Sequence, residues 1–111
     1  VKYFQLLAER RLTEAERELE RIKGEAEGSE WVRGYVKALE GLFLTQKSDD
    51  DKYLYLRRID YSEKNIKNLY DEFTRHALSE LHADYDRGYF KALADYMKAL
   101  EKLKPWRSPQ G

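Results

Sequence analysis

Arg75 and His82 are the residues whose types and spacing best suit chemistry in this sequence. An imidazole can move a proton near neutral pH, and a guanidinium can hold an anion. Around them stand Glu72, His76, Glu80, Asp84 and Asp86, at steps that suit a helix. Di-metal helical bundles use a Glu and a Glu-x-x-His pair from facing helices. No Glu-x-x-His occurs here, so these residues read as a solvated charged face and no metal or cofactor is expected. There is no Cys, which removes disulfides, thiolate zinc sites and thiol catalysis. The six Gly are scattered and form no phosphate loop or dinucleotide fingerprint.

The segment from Arg75 to His82 resembles the Arg-x(4–6)-His element of HEPN domains, whose size and helical content the chain shares. That resemblance covers eight residues. It implies an RNase in which Arg75 and His82 act together, typically across a dimer interface, on an RNA phosphodiester. The residues themselves admit a plainer reading, because His76 and His82 near a helix end are favoured by the helix dipole. A second route to nucleic acid is the run Tyr53, Tyr55, Arg57, Arg58, Tyr61, Lys64 and Lys67, in which rings could stack on bases and cations track phosphates. Net neutrality disfavours it, since non-specific affinity comes mainly from unpaired positive charge.

That neutrality is a balance of 21 bases against 21 acids in 111 residues. Residues 9–30 carry eight acids and five bases, and residues 98–107 carry four bases and one acid, so the ends are mildly and oppositely biased. Charged residues reach 38 %, while Asn appears twice, Gln three times and Met once. Heavy Glu/Lys/Arg use with few thermolabile residues is the hyperthermophile pattern, and suggests a cytoplasmic, archaeal source. No apolar run is long enough to cross a bilayer, and the first residues lack the apolar core of a signal peptide. The chain begins at Val1, not Met, which suggests that a few residues precede it.

The elements that must position these side chains read as helices. Phe4, Leu7, Ala8, Leu12, Ala15, Leu19, Ile22 and Ala26 place one apolar stripe along a helix from about residue 2 to 27, kinked near Leu12. Thr13 and Glu16 could instead form a capping box that starts the helix there. Gly28 suits its stop and Ser29 the N-cap of a second helix reaching about Gln46. Trp31, Tyr35, Leu39, Leu42 and Phe43 supply the apolar side of that helix, and Gly34, Ala38 and Gly41 a strip for close approach. Residues 48–61 read as a polar turn followed by a short helix or ordered loop. Ser62 caps a third helix with Ile66, Leu69, Tyr70, Phe73, Ala77, Leu78 and Leu81 on its apolar face. A fourth runs from Asp84 to about Lys104, where Pro105 stops it; Tyr85, Tyr89, Leu93, Tyr96, Met97, Leu100 and Leu103 form its apolar side.

An internal echo ties these helices together. Residues 33–39 (RGYVKAL) match residues 87–93 (RGYFKAL) at six of seven positions, offset by 54. Glu30 and Asp84 each stand three residues before the Arg, where they can pair with it, and Trp31 and Tyr85 are both aromatic. The pattern predicts an all-α antiparallel four-helix bundle, a single domain over 1–111 built from two pseudo-repeated αα-hairpins. Hairpin 1 covers about 1–47, the connection 48–61, hairpin 2 about 62–104 and the tail 105–111. The expected role is a non-catalytic protein-protein interaction or scaffold module, a homodimer or a subunit of a larger assembly. Arg33, Tyr35, Arg87 and Tyr89, then Tyr53, Tyr55 and Arg58, are the expected partner surface. Nucleic-acid binding and the Arg75/His82 RNase are the alternatives.

Overall fold

A computed structural model of the chain describes residues 2–26, 28–47 and 62–103. Those residues form five α-helices and no strand: α1 (Lys2–Ala8), α2 (Leu12–Glu25), α3 (Glu30–Lys47), α4 (Glu63–Leu78) and α5 (Asp84–Leu103). None is long and apolar enough to cross a membrane. The expectation for 48–61, and with it Tyr53, Tyr55 and Arg58, lies outside the described residues.

The expected helix over 2–27 is two helices, so the count of four is corrected to five among the described residues. Arg10 adopts a left-handed backbone (φ 57°). Arg11 N–H donates to Leu6 C=O at 2.9 Å and Arg10 N–H to Leu7 C=O at 3.0 Å, the paired bonds of a Schellman C-cap. Glycine is the residue usually found at such a position, because a Cβ there costs roughly 1 kcal/mol or more. We therefore expect Arg10→Gly to stabilise the protein by about 1 kcal/mol, read as a rise in Tm of several degrees. A lower Tm would show that α1 and α2 are continuous. The Thr13/Glu16 capping box does not form: α2 begins at Leu12 and its N-cap residue, Arg11, makes no side-chain capping bond.

The starts of α3 and α4 follow the sequence closely. Ser29 Oγ accepts from Val32 N–H at 3.2 Å, the bond expected of an N-cap. Ser62 precedes α4 with extended backbone, and its carbonyl accepts the first helical bond from Ile66 N–H at 2.9 Å.

α5 is the central element. α3 and α4 pack on it most extensively, α1 also touches it, and α2 leans on α1 and α3. Ion pairs fix the sense of α2 against α3: Lys23–Glu40 at 3.2 Å and Glu16–Lys47 at 3.7 Å step in opposite directions along the two helices. α4 and α5 are also antiparallel, with Phe73 and His76 against Phe90 and Tyr70 against Lys98. α3 and α5 meet through their glycines. A Cβ on Gly34 would strike the Tyr85 carbonyl, whose carbon would lie 2.7 Å away. A Cβ on Gly88 would strike the Trp31 carbonyl in the same way, its carbon at 2.8 Å. The two contacts are reciprocal and fall at positions 54 apart in the sequence. The echo is therefore a packing device in which each helix offers its glycine to the other's backbone. The Tyr35 hydroxyl donates to Asp95 at 2.7 Å, a second tie between α3 and α5.

The core follows from this crossing. Ala38, Leu39, Leu42 and Phe43 of α3 meet Ala92, Leu93, Met97 and Leu100 of α5, with Ile66 and Phe73 from α4. α1 closes one side with Tyr3, Phe4, Leu6 and Leu7, all buried. The Tyr3 hydroxyl donates to Leu39 C=O at 2.6 Å, which satisfies the one polar atom that this end of α1 takes inside. α2 buries only Ala15 and Leu19. Leu78 and Leu81, expected on the apolar face of the third helix, are 70 % and 97 % exposed. The reason is local: α4 ends at Leu78, and Leu81 stands in the turn that follows, where helical spacing no longer places a residue.

Candidate functional site

α2 packs on α3 far less extensively than α4 packs on α5. Between the end of α2 and the start of α3 there is an open groove of about 480 Å³. Ile22, Ala26, Val32 and Val36 give it apolar walls, and Asp95 reaches it from α5. Trp31 and Tyr35, four residues apart on α3, stack with ring centroids 5.4 Å apart and planes 25° from parallel. Trp31 is 38 % exposed. Tyr35 is half-buried, with its hydroxyl 2.7 Å from Asp95 Oδ2. Desolvation first, and then this bond to a carboxylate, raise the Tyr35 phenol well above its ordinary value, so it stays a neutral donor through the physiological range. The other Asp95 oxygen is 3.0 Å from Lys91 Nζ.

The rim of the groove is charged. Arg21 is held by Glu18 at 2.6 Å and by Glu25 at 2.9 Å. The hydrogen bond that it donates to Glu18 is the main reason that the Arg21 guanidinium is raised. A second hollow of about 390 Å³ lies across α3 and is lined by Lys23, Arg33, Lys37, Glu40 and Tyr85, among others. Burial raises Glu40, but hydrogen bonds from Lys23 and Lys37 outweigh it, and the carboxyl sits below its ordinary value.

The residues singled out from the sequence are distributed unevenly over these features. Tyr35 lines the larger groove and Arg33 the smaller hollow. Arg33 is exposed and pairs with Glu30 at 3.2 Å; Arg87 pairs with Asp84 at 3.7 Å, so both expected acid–Arg pairs form. Arg87 also donates from Nε to Ala77 C=O at 3.2 Å, which ties α5 back to the end of α4. Tyr89 is half-buried, packs against the core and meets Phe90 edge-on at 6.1 Å. Arg33 and Tyr35 therefore border the hollows beside α3, whereas Arg87 bonds to the end of α4 and Tyr89 packs against the core.

Arg75 is exposed on α4, whereas His82 is half-buried in the turn. His82 Nε2 is 3.0 Å from His76 Nδ1, and both rings pack on Phe90, at 5.5 and 4.7 Å. In the sequence His76 reads only as part of a charged face near a helix end, and nothing there pairs it with His82. Among the described residues no group of three or more His, Asp or Glu could hold a metal ion. Sequence reasoning also misses the groove itself. Ile22 and Trp31 read as apolar helix positions and Val36 as part of the echo, and nothing in a single helix's periodicity shows that two such faces stand apart. Comparison with protein-family models, with curated proteins and with solved structures finds no match to the chain.

Proposed function

We propose that the chain is a non-catalytic helical interaction module that presents its α2–α3 face to a protein partner, with a second copy of itself as the simplest one. The observation that supports this is the Trp31/Tyr35 stack, held over apolar walls by the bond to Asp95 and left open to solvent. Trp, Tyr and Arg are the side chains that most often dominate binding energy, and Trp31, Tyr35 and Arg33 all stand on this face. The architecture that goes with the reading is a bundle of two pseudo-repeated αα-hairpins, in which the shared motif packs the halves and the face outside it carries recognition. The chain would then work in the oligomer, without cofactor or metal.

Sedimentation of the chain from micromolar to millimolar concentration tests the reading. A dimer is expected, and Trp31→Ala should weaken it by about 2 kcal/mol or more, as removal of a central aromatic anchor does. A chain that stays monomeric throughout, or a dimer indifferent to Trp31→Ala, would refute the reading.

A further inference from the structure

The offset of 54 residues that aligns the two halves also aligns their outer helix contacts. Leu19, Ile22, Gly28 and Val36 fall on Phe73, His76, His82 and Phe90. In the second half these four positions form one stack of rings. Phe90 lies 6.2 Å from Phe73 and 4.7 Å from His76, with planes within about 30° of parallel, and His82 closes the stack through its 3.0 Å contact with His76. In the first half the same positions carry three aliphatic side chains and a glycine; Leu19 is buried in the core, and Ile22 and Val36, which stand where His76 and Phe90 do, line the groove. A Cβ added to Gly28 would meet nothing within 4 Å, so there is room on that side too. One half thus fills with its own side chains the kind of space that the other leaves open.

We propose that the groove is a binding site for a small planar nitrogen heterocycle, neutral or weakly basic. This rests on the reading of the α2–α3 face as the recognition surface and names what enters it. Shape is the first argument: the ring stack of the second half shows what packs between an outer helix and its inner partner at this position. Apolar walls and the Trp31/Tyr35 stack offer flat contact. A volume of about 480 Å³ lies within the range of small-molecule sites. Charge is the second argument. The lining carries one guanidinium, Arg21, against two carboxylates, Glu25 and Asp95. Arg21 is already committed to Glu18 and Glu25, and Asp95 takes Lys91 on one oxygen and the Tyr35 hydroxyl on the other; a carboxylate oxygen can accept a further bond. The edge of the groove therefore accepts N–H donors and disfavours anions.

Benzimidazole is the probe, benzoate the anionic control of similar size, and the readout is the ¹⁵N–¹H spectrum of the full chain diluted until it is monomeric. Benzimidazole should give saturable shifts at the Trp31 indole N–H and at Val32 and Val36, and benzoate should bind at least about tenfold more weakly. Val36→Phe copies the second half and fills the groove. It should keep the helical spectrum and lose at least about tenfold in benzimidazole affinity, as should the fuller graft of Ile22→His, Gly28→His and Val36→Phe. No saturable shift at these residues, equal binding of benzoate, or unchanged binding in a folded Val36→Phe chain overturns the proposal. Failure here with the Trp31-dependent dimer intact would leave the interaction reading standing. Saturable binding by a chain that never dimerises would uphold the heterocycle site and refute the dimer.

Discussion

Gly34→Ala and Gly88→Ala should each destabilise the protein by about 2 kcal/mol or more, although alanine is the better helix former by about 1 kcal/mol. The added methyl in each case meets a backbone carbonyl of the facing helix, Tyr85 or Trp31, and not the end of a flexible side chain. Relief requires α3 and α5 to separate along the contact that carries the core, including Ala38, Leu39, Ala92 and Leu93. Overpacking of this kind costs about 3 kcal/mol or more when backbone must move, and the gain in propensity offsets only part of it. Thermal unfolding should show a fall in Tm on the order of 10 °C for either variant. Gly24→Ala is the internal control. Gly24 lies inside α2 with nothing within 4 Å of an added Cβ, so the same chemical change should raise stability by about 0.5–1 kcal/mol. Equal effects at Gly24 and Gly34 would mean that the helices do not touch at the echo.

Stability should also fall steeply above pH 10. Tyr3, Tyr35 and Tyr96 all have phenols raised from the ordinary value of 10.0, first by burial, and Tyr96 is pushed up to about 12. Like-charge repulsion from Glu40 adds to the effect at Tyr3, and the bond to Asp95 adds to it at Tyr35. The sign follows from which state holds the proton. Above pH 10 the unfolded chain ionises these phenols while the folded chain keeps them neutral, so the unfolded state binds fewer protons and is favoured as pH rises. The stabilisation is complete below pH 10 and is lost through the window from 10 to about 12 and beyond. Each tyrosine contributes a slope of about 1.4 kcal/mol per pH unit, so the three together approach about 4 kcal/mol per unit. Urea unfolding at pH 9, 10 and 11 measures this directly. Tyr96→Phe should remove about a third of the slope, and a flat profile to pH 11 would place these hydroxyls in water.

How much of this is visible in the sequence depends on whether the feature repeats locally. The echo is legible, and so is its use, because Gly34 and Gly88 stand at one helical height beside aromatics and an acid–Arg pair. The starts of α3, α4 and α5 are legible from Ser29, Ser62 and the acids that follow. The break at Arg10 is legible only as a kink near Leu12, for two reasons. The stripe from Ala8 to Leu12 keeps its spacing across the turn, and an arginine stands where a glycine would have marked the left-handed residue. Leu78 and Leu81 mislead for the complementary reason, since helical spacing continues on paper past the point where the helix stops.

The groove is hidden for a further reason. Tyr35 and Asp95 are 60 residues apart, so their bond cannot be read from either helix alone. The contrast of Ile22, Gly28 and Val36 with His76, His82 and Phe90 is available once the halves are aligned, but it acquires meaning only when the rings are seen to stack. Tyr89 illustrates the limit of arguing from the repeat. It occupies the position of Tyr35, yet its ring meets Phe90 edge-on, whereas Tyr35 stacks on Trp31.

Everything proposed for the grooved face depends on α3 and α5 touching through their glycines with the two halves in matched register. Nuclear Overhauser spectroscopy of the chain measures that contact without any substitution. The structure predicts strong cross-peaks from the Gly34 α-protons to Tyr85 and from the Gly88 α-protons to Trp31, as a matched pair. Absence of both, with Gly34 and Gly88 assigned and the helices intact, would contradict it.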